Sequence, residues 1–122
     1  MNGNLTKIDY NAIPGVMFTI PPLARVGMLE SEARAAGIDV EITSSDTSSW
    51  YYVRRVREPA ALAKVVIENE TRRILGAHTL GPEADETINL FALTMRAGLK
   101  ASDLKDFIAT YPTADSSVQY LF

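Results

Sequence analysis

Ile74-Leu75-Gly76-Ala77-His78-Thr79-Leu80-Gly81-Pro82-Glu83-Ala84-Asp85-Glu86-Thr87-Ile88-Asn89-Leu90-Phe91-Ala92-Leu93-Thr94-Met95-Arg96-Ala97-Gly98 is the stretch whose reading decides the fold. Its opening is an apolar run closed by Gly81-Pro82, which predicts a strand that hands over directly to a helix. Pro82 suits the first helical position, where its missing N–H is no loss. From there Ala84, Ile88, Phe91, Ala92 and Met95 recur at three- and four-residue steps. Glu83, Asp85 and Glu86 sit where the helix dipole favours negative charge, Arg96 complements the other end, and Gly98 fits the left-handed residue that stops a helix. A second apolar row, Leu90, Leu93 and Ala97, leaves the helix apolar around most of its circumference. Such a helix is central in a large core or shared with another subunit, and a short chain favours sharing.

Upstream, residues 62–68 form a second apolar run, and Asn69-Glu70-Thr71-Arg72-Arg73 connects it to Ile74. The pair reads as a hairpin. Val16-Met17-Phe18-Thr19-Ile20 reads as a first strand ended by Pro21-Pro22, residues 29–36 as a short helix stopped by Gly37, and Ile38, Val40 and Ile42 as the apolar face of an alternating strand. Residues 44–49 are polar and turn-rich. Trp50-Tyr51-Tyr52-Val53-Arg54-Arg55-Val56-Arg57 reads as an edge strand with its arginines in solvent. A nucleotide platform is the alternative for those aromatics and arginines, and the acidic net charge disfavours it. After Gly98, residues 102–109 read as a second helix capped by Ser102, with Leu104, Phe107 and Ile108 inward. Residues 116–122 close the chain in one turn around Val118, Leu121 and Phe122.

The 122 residues, 47% hydrophobic and 22% charged, suit one globular unit that buries roughly two thirds of its unfolded surface. A net charge of −3 offers no electrostatic attraction for nucleic acid or an anionic membrane, and no apolar run approaches a membrane span. The absence of cysteine excludes disulfides, thiolate metal sites and a cysteine redox centre in these residues. His78 is the only histidine, inside a predicted strand, and reads as a partly buried core residue with a satisfied hydrogen bond. A lone histidine makes no metal site.

The order Ile74-Leu75-Gly76-Ala77-His78, Gly81-Pro82-Glu83-Ala84-Asp85-Glu86, Ala97-Gly98-Leu99, Asp103-Leu104 and Tyr111-Pro112-Thr113 resembles the C-terminal dimerisation domain of the flavin-dependent pyridine nucleotide–disulfide oxidoreductases. That family includes glutathione reductase, dihydrolipoamide dehydrogenase and mercuric reductase. Ile13-Pro14, Phe18-Thr19-Ile20-Pro21-Pro22 and Val26-Gly27 extend the resemblance over nearly the whole chain. It implies an α+β fold, an antiparallel sheet with helices packed on one face, spanning residues 13–122. It also implies that residues 1–12 are the remnant of a linker from a missing flavin domain. The implied function is that of a dimerisation fragment of an FAD-dependent NAD(P)H oxidoreductase, cytoplasmic and homodimeric, with no cofactor of its own. Alone it is expected to be inactive, because FAD and NAD(P)H belong to N-terminal domains of the full-length parent.

The resemblance also assigns site residues. Leu90, Phe91 and Thr94 stand at the twofold interface. Tyr111, Pro112 and Thr113 form the loop that faces the flavin of the other subunit. At the positions of the family's His–Glu acid–base dyad this chain has Tyr111 and Ser116. A phenol titrates only near about pH 10 and a serine hydroxyl carries no charge, so the pair does not exchange protons near neutrality. Tyr111 is left to donate a hydrogen bond to the flavin or simply to pack the loop. A free-standing α/β interaction module without a redox role is the alternative function, and an upstream Gly-x-Gly-x-x-Gly segment would decide against it.

Overall fold

The computed structural model describes Tyr10 and residues 12–122. Its centre is the expected hairpin, β4 (Leu62–Glu68) and β5 (Ile74–Leu80), paired antiparallel from Leu62↔Leu80 to Ile67↔Ile74. Around it lie β1 (Gly15–Met17), β2 (Leu23–Gly27) and β3 (Val40–Asp46), in an all-antiparallel sheet of order β1-β2-β5-β4-β3. The alternation of β4 sends Ala63, Val65 and Ile67 to one face and Lys64 and Val66 to the other.

On the first face lies α3 (Ala84–Arg96), with Ile88 and Phe91 fully buried against Val26, Val65, Ile67 and Ala77. The helices α4 (Ala101–Lys105) and α5 (Ala114–Ser117) and a closing 3-10 turn (Val118–Leu121) share that face, where Leu104, Val118 and Leu121 complete the core. Gly98 takes the expected left-handed conformation beyond α3, with φ +67°. The start of α3 differs from expectation: Glu83 holds φ +61° and the helix begins at Ala84, so Pro82 belongs to the preceding turn. Of the segment 1–12 assigned to a linker, only Tyr10 and Ala12 lie within the described residues, and Ala12 is buried in the main core.

The fold class stands, and one helix sits apart from the others. Helix α1 (Glu30–Ala35) packs on the opposite face, where Ala33 meets Val40 and Val66 beside Met28 and Leu75. The crossing is made at the register pair Gly27↔Gly76, where the Met28 N–H donates to the Leu75 carbonyl at 2.9 Å and the chain passes directly over Gly76. Two adjacent glycines allow an approach that side chains would block.

Other boundaries move for local reasons. Pro21-Pro22 lies between two strands, so β1 ends at Met17 and β2, absent from the predicted elements, begins at Leu23. Strand β3 runs on through Ser44 and Asp46, because those residues pair with Lys64 and Leu62 of β4 and need no apolar side chains to do so. The segment after Trp50 is a helix, α2 (Tyr51–Val56), and not an edge strand. Val53 is fully buried there and Trp50 packs on the main core, in edge contact with Tyr52 and Tyr120 at centroid distances of 6.4 and 6.1 Å. Docking of Trp50 and Val53 at helical spacing overrides the strand preference of the aromatic residues. Helix α4 is shorter than predicted: Asp103 accepts from the Lys100 N–H at 2.7 Å, so Lys100 and not Ser102 starts it, and Phe107 and Ile108 are exposed beyond its end.

Candidate functional site

The outward surface of α3 and the loop that follows α4 carry most of the residues singled out from the sequence. Phe91, assigned to the interface, points instead into the protomer's own core and is fully buried; Thr94 is buried too, its hydroxyl donating to the Leu90 carbonyl at 2.8 Å. The reason is angular: Phe91 belongs to the same stripe as Ile88 and Ala92, and that stripe is the one pressed on the sheet. Leu90 is half-buried against the core, while Leu93 is 65% exposed in a ridge with Glu86 and Asn89. Leu90 and Leu93 are therefore the apolar side chains that α3 offers to another molecule.

Between α3 and the loop lies an open groove of about 430 Å³ lined by Glu83, Glu86, Phe107, Ile108, Thr113 and Asp115. Thr87 donates to the Asp115 carboxylate at 3.0 Å and ties the two walls together. The loop is shaped by Thr113, which caps α5: its Oγ1 accepts from the Ser116 N–H at 3.1 Å, and its own N–H donates to Ser116 Oγ at 3.0 Å. Ser116 is buried and its hydroxyl donates to the Thr113 carbonyl at 2.8 Å. Tyr111 stands 75% exposed next to Pro112. The two residues at the dyad positions are thus held apart in role: Ser116 is committed to the cap and Tyr111 projects outward, with no hydrogen bond between them among the described residues.

Residues 13–121 match the family described as pyridine nucleotide-disulphide oxidoreductase, dimerisation domain. The chain belongs to this family. As a dimerisation domain it is 40% identical over 121 residues to an uncharacterized 19.7 kDa protein of a Staphylococcus aureus mercuric resistance operon, covering 99% of this chain and 67% of that one. It is 34% identical to the probable pyridine nucleotide-disulfide oxidoreductase RclA of Escherichia coli, over 98% of this chain and 27% of the relative. The solved structure of that flavoprotein disulfide reductase superposes with a TM-score of 0.85, covering 88% of this chain and 25% of the other. Against LpdA of Mycobacterium tuberculosis, at 20% identity and a TM-score of 0.83, the likeness is one of fold. The dimerisation domain thus spans about a quarter of the length of RclA.

His78 departs from expectation. It lies half-buried on the sheet face that α1 only partly covers, and neither buried ring nitrogen makes a well-formed hydrogen bond. In register it stands directly between Arg25 of β2 and Lys64 of β4. Burial, and then the charges of Arg25 and Lys64, hold its pKa below the usual 6.5, and the Lys64 main chain and Glu32 offset part of this. From α1, Glu30 bonds Lys64 at 2.6 Å and Arg34 at 2.9 Å, which hold its carboxyl below the usual range. The unfolded chain therefore takes up a proton at His78 before the folded one does. The contribution of His78 to stability is full above about pH 6.5, falls as the pH drops below it, and levels off beneath the folded pKa. Urea midpoints between about pH 7.5 and 5.5 are expected to fall for wild type and to stay flat for His78→Gln. Equal slopes in the two proteins would contradict this origin. Among the described residues no cluster of His, Asp or Glu is arranged to hold a metal ion, and no helix is long and apolar enough to cross a membrane.

Proposed function

We propose that this chain acts as the subunit interface of a cytoplasmic, homodimeric FAD-dependent NAD(P)H oxidoreductase, whose flavin and nucleotide are carried by N-terminal domains of a longer parent. The observation that carries the reading is the exposed Leu93, beside half-buried Leu90, on the longest helix of a dimerisation-family chain. Leu93 and Leu90 would meet their own copies across a twofold axis, since an isologous interface requires a self-complementary patch. Phe107, Ile108 and Tyr111 extend the exposed apolar surface at the far side of the groove.

The loop suits a flavin in a limited sense. Tyr111 and Pro112 offer an exposed ring and a phenol donor to a flat, partly apolar group, and the Thr113–Ser116 cap fixes their backbone. FAD, when bound by the parent, would supply hydride and electron transfer. This chain's own residues would position and shield it: Tyr111 donates a hydrogen bond, while Ser116, its hydroxyl already engaged, exchanges no proton. The parent's thiol chemistry, if it has any, therefore takes its acid–base group from elsewhere.

Sedimentation velocity of wild type and Leu93→Glu tests the interface. Leu93 touches solvent in the protomer, so at concentrations low enough to keep both proteins monomeric the charge should change stability by no more than about 0.5 kcal/mol. It places two like charges near the axis, and the dimer constant is expected to weaken by at least about tenfold. A wild-type monomer at all concentrations, or a variant that dimerises as tightly, would show that α3 is not the interface.

A further inference from the structure

On the sheet face opposite α3, helix α1 covers the end at Val40, Ile42 and Val66 and reaches Lys64 through Glu30, while Met17, Leu23, Arg25 and Leu62 are exposed. Directly opposed residues of neighbouring strands point to the same side, so the register sets out two rows. The first runs Gly15, Arg25, His78, Lys64. The second runs Met17, Leu23, Leu80, Leu62, and Met17, Leu23 and Leu62 are exposed. Where the rows meet β1 lies a groove of about 420 Å³, lined among others by Gly15, Met17, Leu23, Arg25, Leu29 and His78. Its size falls in the range of small-molecule sites, and its lining has their character of apolar walls with a few polar groups.

The cations around it are not equivalent. Lys64 and Arg34 share the carboxylate of Glu30. Arg25 has only the Gly27 carbonyl, 3.3 Å from its Nη2, and no carboxylate pairs with it among the described residues. Beside it the buried His78 ring nitrogens make no well-formed hydrogen bond. A guanidinium that no described carboxylate pairs with therefore borders an apolar groove, and its planar fork matches a carboxylate. Gly15 keeps the β1 wall open: nothing lies within 4 Å of the position that a Cβ would take there.

We propose that this groove is a binding site for a small amphiphilic carboxylate, with the carboxylate on Arg25 and the apolar body along Met17 and Leu23. The site lies on the sheet face away from α3. A ligand here would sense and be sensed by His78, the only histidine, whose Hε1 resonance is a single-signal reporter.

Octanoate titrated into the chain near neutral pH is the test, followed by proton NMR. The His78 signal is expected to shift saturably with a dissociation constant on the order of 1 mM, and its titration midpoint to rise in the complex. Arg25→Gln should weaken binding about tenfold, and 1-octanol, which has the same body without the charge, should bind wild type about tenfold more weakly than octanoate. Gly15→Leu, whose Cβ finds nothing within 4 Å and whose longer side chain reaches into the groove, should keep a cooperative melt and lose the saturable shift. No saturable shift with wild type, equal affinity for octanol, or undiminished octanoate binding by either variant would overturn the proposal.

Discussion

Gly76→Ala is expected to cost the chain about 3 kcal/mol or more, a large share of the stability of a domain of this size. A Cβ at this position would stand 2.0 Å from the Met28 carbonyl oxygen and 3.0 Å from its carbonyl carbon and nitrogen. These are backbone atoms, and the Met28 N–H is anchored to the Leu75 carbonyl at 2.9 Å, so nothing swings aside. The opposed residue Gly27 is as constrained, with φ +71° and a Cβ position 2.2 Å from the Leu75 oxygen. Making room means prising β2 from β5 at the point where the chain crosses to α1. Thermal melts by circular dichroism should show the midpoint of Gly76→Ala lowered by more than about 10 °C, with Gly15→Ala within about 2 °C of wild type. A Gly76→Ala melt close to wild type would mean that the crossing is not as tight as described.

Phe91→Ala is expected to cost about 3–5 kcal/mol, because it empties the largest fully buried side chain of the core. The cavity would be walled by the sheet on one side and by Ile88 and its neighbours on the other, and strand and helix backbones do not collapse into it. Urea denaturation at fixed protein concentration measures it, with the midpoint lowered and the slope unchanged. The contrast with Leu93→Glu, two residues along the same helix, separates folding from association: the first should lower the urea midpoint, the second the dimer constant. A Phe91→Ala loss below about 1 kcal/mol would place Phe91 outside the core after all.

The sequence by itself determined the elements whose pattern is local. Leu62–Glu68 and Ile74–Leu80 are apolar runs around a polar connector, and they pair as read. The three- and four-residue recurrence of Ala84, Ile88, Phe91 and Ala92 makes α3, and Gly37 and Gly98 stop helices where a left-handed residue is needed. The order of short motifs, which fall in strand β5, at the ends of α3 and in the loop before α5, was enough for the family.

Tertiary structure decided what such patterns leave degenerate. In a helix apolar nearly all round, either stripe can face inward; the sheet took the one with Phe91 and left Leu93 outside. Aromatic and β-branched residues favour a strand at 51–56, yet burial of Val53 and docking of Trp50 make it a helix, because packing outweighs propensity over so short a segment. The side chosen by α1 depends on two glycines, Gly27 and Gly76, that are 49 positions apart and meet only once β2 pairs with β5. The same holds for Arg25, His78 and Lys64. Each is unremarkable in the chain, and strand register alone sets the three side by side, because the two-residue period of a strand gives every side chain a face but not a neighbour.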